Sequence, residues 1–335
     1  MDAENDLAQF PKFRHNLWTS YADEPDVTYL TVSHGKFKVP TGEAQEFLKI
    51  RGLCTGHHDL PTIAQRSGLT LERTRHMVQS LVDGDMLRRA ARPFEVLSQE
   101  EIQAGLLAAT RIWAEQLRET HLAVEVFNGA VSRRVAVGWL LETYHYIKHF
   151  PDALARAADS ASGELRSVLA EYARQERGHE AFVEQTLVRL GLRPEEVRQS
   201  VPLATTRLID LLMREMFTAT PCSALLLAAI VEADDFPAGE LPRLQQDFSR
   251  HHDAAPDCLA PFFQHSQIDS DLGHGQLAQR HAALLQFKDG NELHETVNRL
   301  HDIKHAFDAQ KLEIKDYYGH PGNYFPRQRV DFFSI

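Results

Sequence analysis

The chain has 335 residues, of which 43% are hydrophobic and 25% charged, a composition typical of a globular protein with a substantial core. Its net charge of −11 argues against nucleic-acid binding, which needs a basic surface to neutralise phosphates. No apolar run is long enough to span a membrane, and the acidic N-terminus lacks the pattern of a secretion signal, so we expect a cytoplasmic protein with no membrane partner. Three widely spaced cysteines predict no disulfide framework.

The first 95 residues predict a small α+β domain. Residues 27–40 contain β-branched and aromatic residues around Gly35, a pattern typical of a β-hairpin. Asp59 and Thr70 are expected to cap the second and third of the helices that follow. The three helices are predicted over residues 43–54, 59–68 and 69–89. A hairpin followed by helices in this order indicates a winged-helix-like module.

Within this region, FLKIRGLCTGHHDLPTIAQRSGLTLERTRHMVQSLVDGDML resembles the PqqD-like domains, which recognise leader peptides in the maturation of ribosomal peptides. The resemblance implies that residues 1–95 bind a precursor peptide, by adding it as a strand to the edge of the sheet. A winged helix can also bind DNA, but the third helix is not unusually basic. A structural or dimerising extension is the simplest alternative.

Residues 100–335 predict an almost wholly helical domain, after a linker at residues 92–95 in which Pro93 prevents helix continuation. Segments rich in leucine and alanine predict helices over 99–119, 130–149, 152–158, 163–190, 204–218, 221–233, 240–252, 258–285 and 290–316. Breaks are expected at residues 149–151, 191–194, 220–221 and 236–237. The fold class is therefore mainly α, preceded by the small α+β domain.

Three of these helices carry ionisable groups within apolar sequence, where burial of an unpaired charge would be costly. The first places Glu142, His145 and His149 on one helix face. The second has a Glu-x-x-His pattern at Glu176 and His179. The third carries His265 and Asp269 four residues apart, and Asp271 and His274 three apart. Carboxylates and imidazoles that project from several helices into a bundle core are the usual ligands of a dinuclear iron or manganese site.

Residues 110–285 resemble the haem-oxygenase-like diiron oxidases and oxygenases, which have the TenA/PqqC-like fold. The positions that match the ligand pattern of this family are Glu142, His149, Glu176, His265 and Asp269. Glu232 lies where the family often has an acidic residue. The resemblance implies a helical bundle that binds metal in its core.

The chain departs from the family pattern at the last histidine. That residue is expected at position 272, which is Leu272, and the nearest histidine is His274. In one interpretation, a helical bulge near Gly273 moves His274 onto the helix face that carries the other ligands. In the other, Gln267, Asp271 and His274 form the ligand face.

The remaining polar residues near these motifs have several interpretations. His145 is an alternative ligand or a hydrogen-bond partner of the ligands, and His179 is expected to support the ligands rather than to bind metal. Tyr144 and Tyr146 pack between helices or line a pocket. The spacing of the residues does not decide between these interpretations.

The family resemblance implies two Fe(II) ions with O2 as co-substrate, although ligand type alone does not separate iron from manganese. The expected ligands are Glu142, His149, Glu176, His265, Asp269 and His274. The implied function is that of a non-haem diiron oxygenase or oxidase. The expected reaction is N-oxygenation, desaturation or oxidative C–C cleavage of an amino-acid-derived or ribosomal-peptide substrate in natural-product biosynthesis. The alternatives are a cofactor-free PqqC-like oxidase and a non-enzymic ligand-binding regulator, and a homodimer is a further expectation.

Overall fold

The computed structural model of the protein describes residues 8–14, 16–20, 24–32, 35–88, 93–232 and 239–335. The chain divides into two compact units, Met1–Ser98 and Gln99–Ile335. The first contains a small sheet, and the second is helical.

The sheet of the N-terminal unit has three antiparallel strands in the order β1-β2-β3. The predicted hairpin is confirmed, since β2 (Val27–Val32) pairs with β3 (Gly35–Pro40). The strand β1 (Asn16–Ser20) pairs with the other edge of β2 and was not predicted, because its five residues are too few to show a clear alternating pattern.

Three helices follow the sheet, α1 (Thr41–Arg51), α2 (Leu60–Ser67) and α3 (Leu71–Asp83). Both predicted caps are confirmed: the backbone N–H of Thr62 donates to Asp59 Oδ1 at 2.9 Å, and that of Arg73 donates to Thr70 Oγ1 at 3.2 Å. Apolar residues of the sheet and helices, among them Leu30, Ile50, Ile63 and Val78, form the core of this unit.

The helices of the second unit are α4 (Gln99–Thr120), α5 (Leu122–Phe127), α6 (Arg133–Ser160), α7 (Gly163–Gln175), α8 (Glu180–Arg189), α9 (Pro194–Gln199), α10 (Ala204–Ala219), α11 (Ser223–Val231), α12 (Leu241–His252), α13 (Ala260–Leu272), α14 (Leu277–Arg280) and α15 (Gly290–Gly319). In the described part of the chain, none is long and apolar enough to cross a membrane. The mainly α fold class is confirmed.

The helix α6 lies at the centre of this unit, packed against α7, α8, α10 and α15. It begins after Ser132, whose hydroxyl accepts from the N–H of Val135 at 3.4 Å. The break predicted at residues 149–151 is wrong, because α6 continues through Pro151 to Ser160. Pro151 removes one backbone hydrogen bond, but burial of apolar residues beyond it, including Leu154, keeps the helix intact.

Two helices that the sequence predicted to be continuous are interrupted. The segment 163–190 is divided into α7 and α8 at Gly178, whose φ is +92°, and the segment 258–285 ends its main helix α13 at Gly273, whose φ is +67°. Glycine adopts this left-handed conformation without a steric penalty. Both interruptions lie beside predicted metal ligands.

Close packing around α6 is expected to make Gly138 sensitive to a single methyl group. A Cβ at Gly138 would overlap the Tyr318 ring, whereas a Cβ at Gly105 in α4 meets no neighbour. Gly138→Ala should therefore lower the free energy of unfolding by about 1–3 kcal/mol. The control Gly105→Ala should raise it by about 0.5–1 kcal/mol. Denaturant unfolding measures both, and equal effects of the two changes would contradict this packing.

Candidate metal centre

Six ionisable side chains from three regions of the second unit meet in its interior. They form two groups whose ligand atoms lie within 4.8 Å of one another in each group. The first group is Glu176, His179, His265 and Asp269. The second group is Glu176, Glu232 and His274. Glu176 belongs to both.

The two carboxylate oxygens of Glu176 face different groups. Its Oε2 lies 3.5 Å from Nδ1 of His179, while its Oε1 lies 2.9 Å from Nδ1 of His274. Glu232 Oε2 lies 3.0 Å from the same His274 nitrogen. A carboxylate in this position can bridge two cations, one in each group.

Asp269 also extends across the cluster. Its Oδ2 is 3.1 Å from Nε2 of His265, and its Oδ1 is 3.3 Å from Nδ1 of His179 and 3.8 Å from Nδ1 of His274. His265 and Asp269 are four residues apart on α13, so they lie one above the other on the same face.

These close contacts do not have the geometry of hydrogen bonds. One nitrogen or oxygen of each side chain is buried and has no hydrogen-bond partner among the residues that the structure describes: Glu176 Oε1, His179 Nδ1, Glu232 Oε2, His265 Nε2, Asp269 Oδ1 and His274 Nδ1. Buried polar atoms normally have partners, because leaving one unpaired is costly. Six such atoms that converge from three carboxylates and three imidazoles fit a site for divalent metal ions such as iron or manganese.

Two hydrogen bonds from the last turn of α7 orient the ligands. The Nε2–H of His274 donates to Gln175 Oε1 at 2.9 Å, which leaves Nδ1 free to face the cluster. The hydroxyl of Tyr172 donates to Glu232 Oε1. Sequence reasoning missed both residues, although Tyr172 lies one helical turn before Glu176, where a side chain on the same face is expected.

Electrostatics in the metal-free protein reflect this crowding. Burial alone would raise the pKa of Glu176, but His179 and His274 lower it well below its usual range. Burial would lower the pKa values of both histidines, but the neighbouring carboxylates raise that of His179 to about 10 and that of His274 to about 9. Burial raises the pKa of Glu232, and the nearby charge of Glu176 acts in the same direction. Without a metal, protons on the rings supply the positive charge that the carboxylates need.

His274 reaches the cluster without the helical bulge considered from the sequence. The helix α13 ends at Leu272, and the left-handed Gly273 turns the chain so that His274 begins a 3-10 segment and is only 1% exposed. The alternative ligand face is not formed, because Gln267 and Asp271 are on the outer side of α13, where the Gln267 amide donates to Asp271 Oδ1.

The structure does not bring Glu142 and His149 to the cluster. Glu142 is fully buried, and its oxygens accept from the N–H of Leu203 at 2.9 Å and from the hydroxyls of Thr206 and Tyr318 at 2.5 and 2.7 Å. Burial raises the pKa of Glu142 despite these hydrogen bonds. Glu142 thus joins α6 to α10 and α15.

His149 and His145 share the face of α6 that carries Glu142. His149 lines a separate surface groove beside Pro202 and Arg327. His145 is buried, and its Nε2–H donates to Ser200 Oγ at 2.9 Å. Burial lowers the pKa of His145 to about 3, so the ring is neutral. His179, by contrast, was expected to support the ligands, and the structure places it among them.

A cavity of about 1110 Å³ opens onto the cluster. The face of α6 next to the one that carries Glu142 lines it with Trp139, Thr143, Tyr146, Ile147 and Phe150. Glu176, Glu232, His265 and Asp269 contribute to the same cavity. Its wall on α6 is mostly apolar and aromatic, and charged side chains that include Arg118, Arg243 and Arg250 line other parts of the cavity.

Residues 137–302 match the sequence model of the family described as iron-containing redox enzymes. A solved structure from Shewanella denitrificans OS217, a domain of unknown function with a haem-oxygenase-like fold, is 18% identical, with a TM-score of 0.52, and covers 68% of this chain and 99% of its own. The similarity to this structure shows that the second unit has a haem-oxygenase-like fold.

Two solved TenA homologues show weaker similarity. The protein from P. horikoshii OT3 is 18% identical with a TM-score of 0.45, and the match covers 65% of this chain and 97% of that one. The protein from Pseudomonas syringae pv. tomato DC3000 is 12% identical with a TM-score of 0.45, and the match covers 68% and 98%. No curated protein matches the chain at a significant level.

Substitution of the shared carboxylate should affect both metal positions. We expect Glu176→Gln to abolish metal binding, because the neutral amide removes a ligand and a negative charge from both groups at once. Glu232→Gln should remove only the ion of the second group. Metal content after anaerobic loading and desalting measures both effects. The exposed Glu171→Gln and the buried Glu142→Gln should retain full metal content, and metal loss in Glu142→Gln with the fold intact would contradict the assignment.

Metal affinity should fall as the pH is lowered. At pH 7 the rings of His179 and His274 hold protons, since their pKa values in the metal-free protein are raised to about 10 and about 9. A metal must displace both protons, so affinity should fall by up to about a hundredfold for each pH unit below pH 9. Competition with a chelator of known affinity gives this slope, and an affinity independent of pH would show that neither ring loses a proton on binding.

Proposed function

We propose that the protein is a non-haem diiron oxidase or oxygenase that uses O2. The observation that carries this proposal is the pair of buried ligand groups that share Glu176, with six unpartnered ligand atoms from residues of which four line a large cavity. The match of residues 137–302 to iron-containing redox enzymes supports iron rather than manganese.

The two groups differ in the number of ligands that they offer. Four side chains surround the first position, Glu176, His179, His265 and Asp269. Three surround the second, Glu176, Glu232 and His274. We therefore propose that the second position binds iron more weakly and keeps more sites open for exogenous ligands. When bound, two Fe(II) ions supply the electrons for the reduction of O2.

The residues around the cluster hold the ligands in place. Gln175 fixes the ring orientation of His274, and Tyr172 holds Glu232 through its hydroxyl. Such outer hydrogen bonds would hold the ligands in a fixed orientation around a bound metal. Trp139, Phe150 and other aromatic residues give the cavity beside the cluster an apolar wall.

The substrate proposed is amino-acid-derived or a ribosomal peptide, and the reaction is N-oxygenation, desaturation or oxidative C–C cleavage in natural-product biosynthesis. A cavity of about 1110 Å³ is large enough for a small molecule or for one residue of a peptide with its neighbours. Its apolar wall on α6 favours a substrate with an apolar side chain.

The N-terminal unit is proposed to bind the precursor peptide. The strand β3 is at one edge of the sheet and pairs only with β2 among the described residues. Its residues alternate between half-buried and exposed, as in a strand with one solvent-facing side. An edge strand of this kind can accept a peptide through main-chain hydrogen bonds, and hydrogen exchange of residues 35–40 with and without a candidate peptide tests this role.

Anaerobic loading with Fe(II) tests the proposed chemistry. We expect about two irons per chain, of which one is removed more readily by a chelator, and consumption of O2 that depends on both. Chelated protein should consume none. Full turnover after chelation would instead indicate a cofactor-free oxidase. A protein that binds no iron but shifts duplex DNA in a salt-dependent manner would be a regulator.

A further inference from the structure

Tyr146 lies on α6 with its ring held between two other aromatic side chains. The ring stacks on Phe150 at a centroid distance of 5.6 Å and an interplanar angle of 23°, and Phe307 approaches edge-on at 5.5 Å and 74°. Contacts on two sides of the ring fix its position and therefore the direction of its hydroxyl.

The Tyr146 hydroxyl is buried and has no hydrogen-bond partner in the described part of the chain. Other buried tyrosines of the unit differ in this respect. Tyr318 donates to Glu142, Tyr172 donates to Glu232, and the Tyr144 hydroxyl accepts from Lys148 Nζ at 3.3 Å. A buried hydroxyl without a partner reduces stability, so its presence calls for a role other than packing.

Tyr146 lines the same cavity as the carboxylates of the cluster. Burial raises the pKa of its hydroxyl well above the usual range, and the charges of Glu232, Glu176 and Asp269, which line the same cavity, raise it further. The group stays protonated at all ordinary pH values, so it is available as a hydrogen-bond donor.

We propose that the Tyr146 hydroxyl binds the substrate, by donating a hydrogen bond to a carbonyl or carboxylate oxygen of a molecule whose apolar body lies against the aromatic wall of the cavity. This inference rests on the proposed function in taking the cavity as the substrate site. It adds the substrate class: an aromatic or aliphatic body with an oxygen acceptor held close to the cluster.

Two tyrosine-to-phenylalanine variants separate a binding role from a packing role. Tyr146→Phe keeps the ring contacts and removes only the unpartnered hydroxyl, so the melting temperature should be unchanged or higher. A hydroxyl with a structural partner would lower it when removed. Tyr144→Phe is the matched control, because this tyrosine is two residues away on the same helix and does not line the cavity.

Three naphthalene probes then test the ligand class on the full chain loaded with Fe(II) without O2. Calorimetry should show that 2-naphthylacetate and 2-naphthylacetamide bind about tenfold more weakly to Tyr146→Phe than to the unsubstituted protein. Binding of 2-methylnaphthalene, which has no oxygen, should be unchanged, and Tyr144→Phe should bind all three normally. If Tyr146→Phe bound the acid more weakly but the amide normally, the group that accepts the hydrogen bond from Tyr146 would be a carboxylate rather than a carbonyl.

Several outcomes would overturn the inference. One is that Tyr146→Phe and the unsubstituted protein bind the acid and the amide equally well, and another is that Tyr146→Phe loses as much affinity for 2-methylnaphthalene as for the acid and the amide. A lowered melting temperature of Tyr146→Phe, or no binding of any probe to the unsubstituted protein, would also overturn it. The same titrations on the metal-free chain separate this inference from the proposed function. If the chain binds no iron but the acceptor-dependent loss persists, the cavity assignment stands and the diiron function does not.

Discussion

The energetic problem at the centre of the structure is the burial of three carboxylates and three imidazoles in one place. Charges removed from water need compensation, and the contacts among Glu176, Asp269, Glu232 and the histidines do not have the geometry of hydrogen bonds. Bound divalent cations would neutralise the negative charges of the carboxylates. In the metal-free protein, protons on the histidine rings neutralise them instead, which is why the pKa values of His179 and His274 are raised.

The ends of helices position most of the ligands. Glu176 follows the last residue of α7, His179 precedes the first residue of α8, Glu232 follows α11, and His274 follows the turn at Gly273. Only the pair on α13 sits within a regular helix. Beyond the end of a helix, side chains no longer follow the regular angular spacing of the helix. Ligands that are close in sequence can therefore approach a metal from different sides.

The sequence predicted the composition of the site better than its geometry. Spacing alone identified His265 with Asp269, because a regular helix places residues four apart on one face. It could not choose the face of α6 that meets the cavity, because this helix is buried on nearly all sides around Glu142, so burial does not distinguish one face from another. Glu142 was therefore chosen as a ligand, although its oxygens already accept hydrogen bonds from Leu203, Thr206 and Tyr318.

Local backbone conformation explains the remaining differences between the predicted helices and those in the structure. The sequence patterns of α7 and α13 are helical on both sides of Gly178 and Gly273, so periodicity predicts unbroken helices, while the positive φ values arise from the packing of the whole unit. The caps at Asp59 and Thr70 were predictable because each depends on a hydrogen bond to a residue only three positions away. Non-local partners such as Gln175 for His274 leave no comparable signal in one sequence.

The ligands come from three segments that are far apart along the chain: the α7–α8 junction, the end of α11, and α13 with the turn after it. A metal bound to all three acts as a cross-link that closes two long loops, in the manner of a disulfide. The folded state would then gain stability in proportion to the logarithm of the free metal concentration. The supply of metal would thereby set how long the folded chain persists, as well as whether the proposed site is filled.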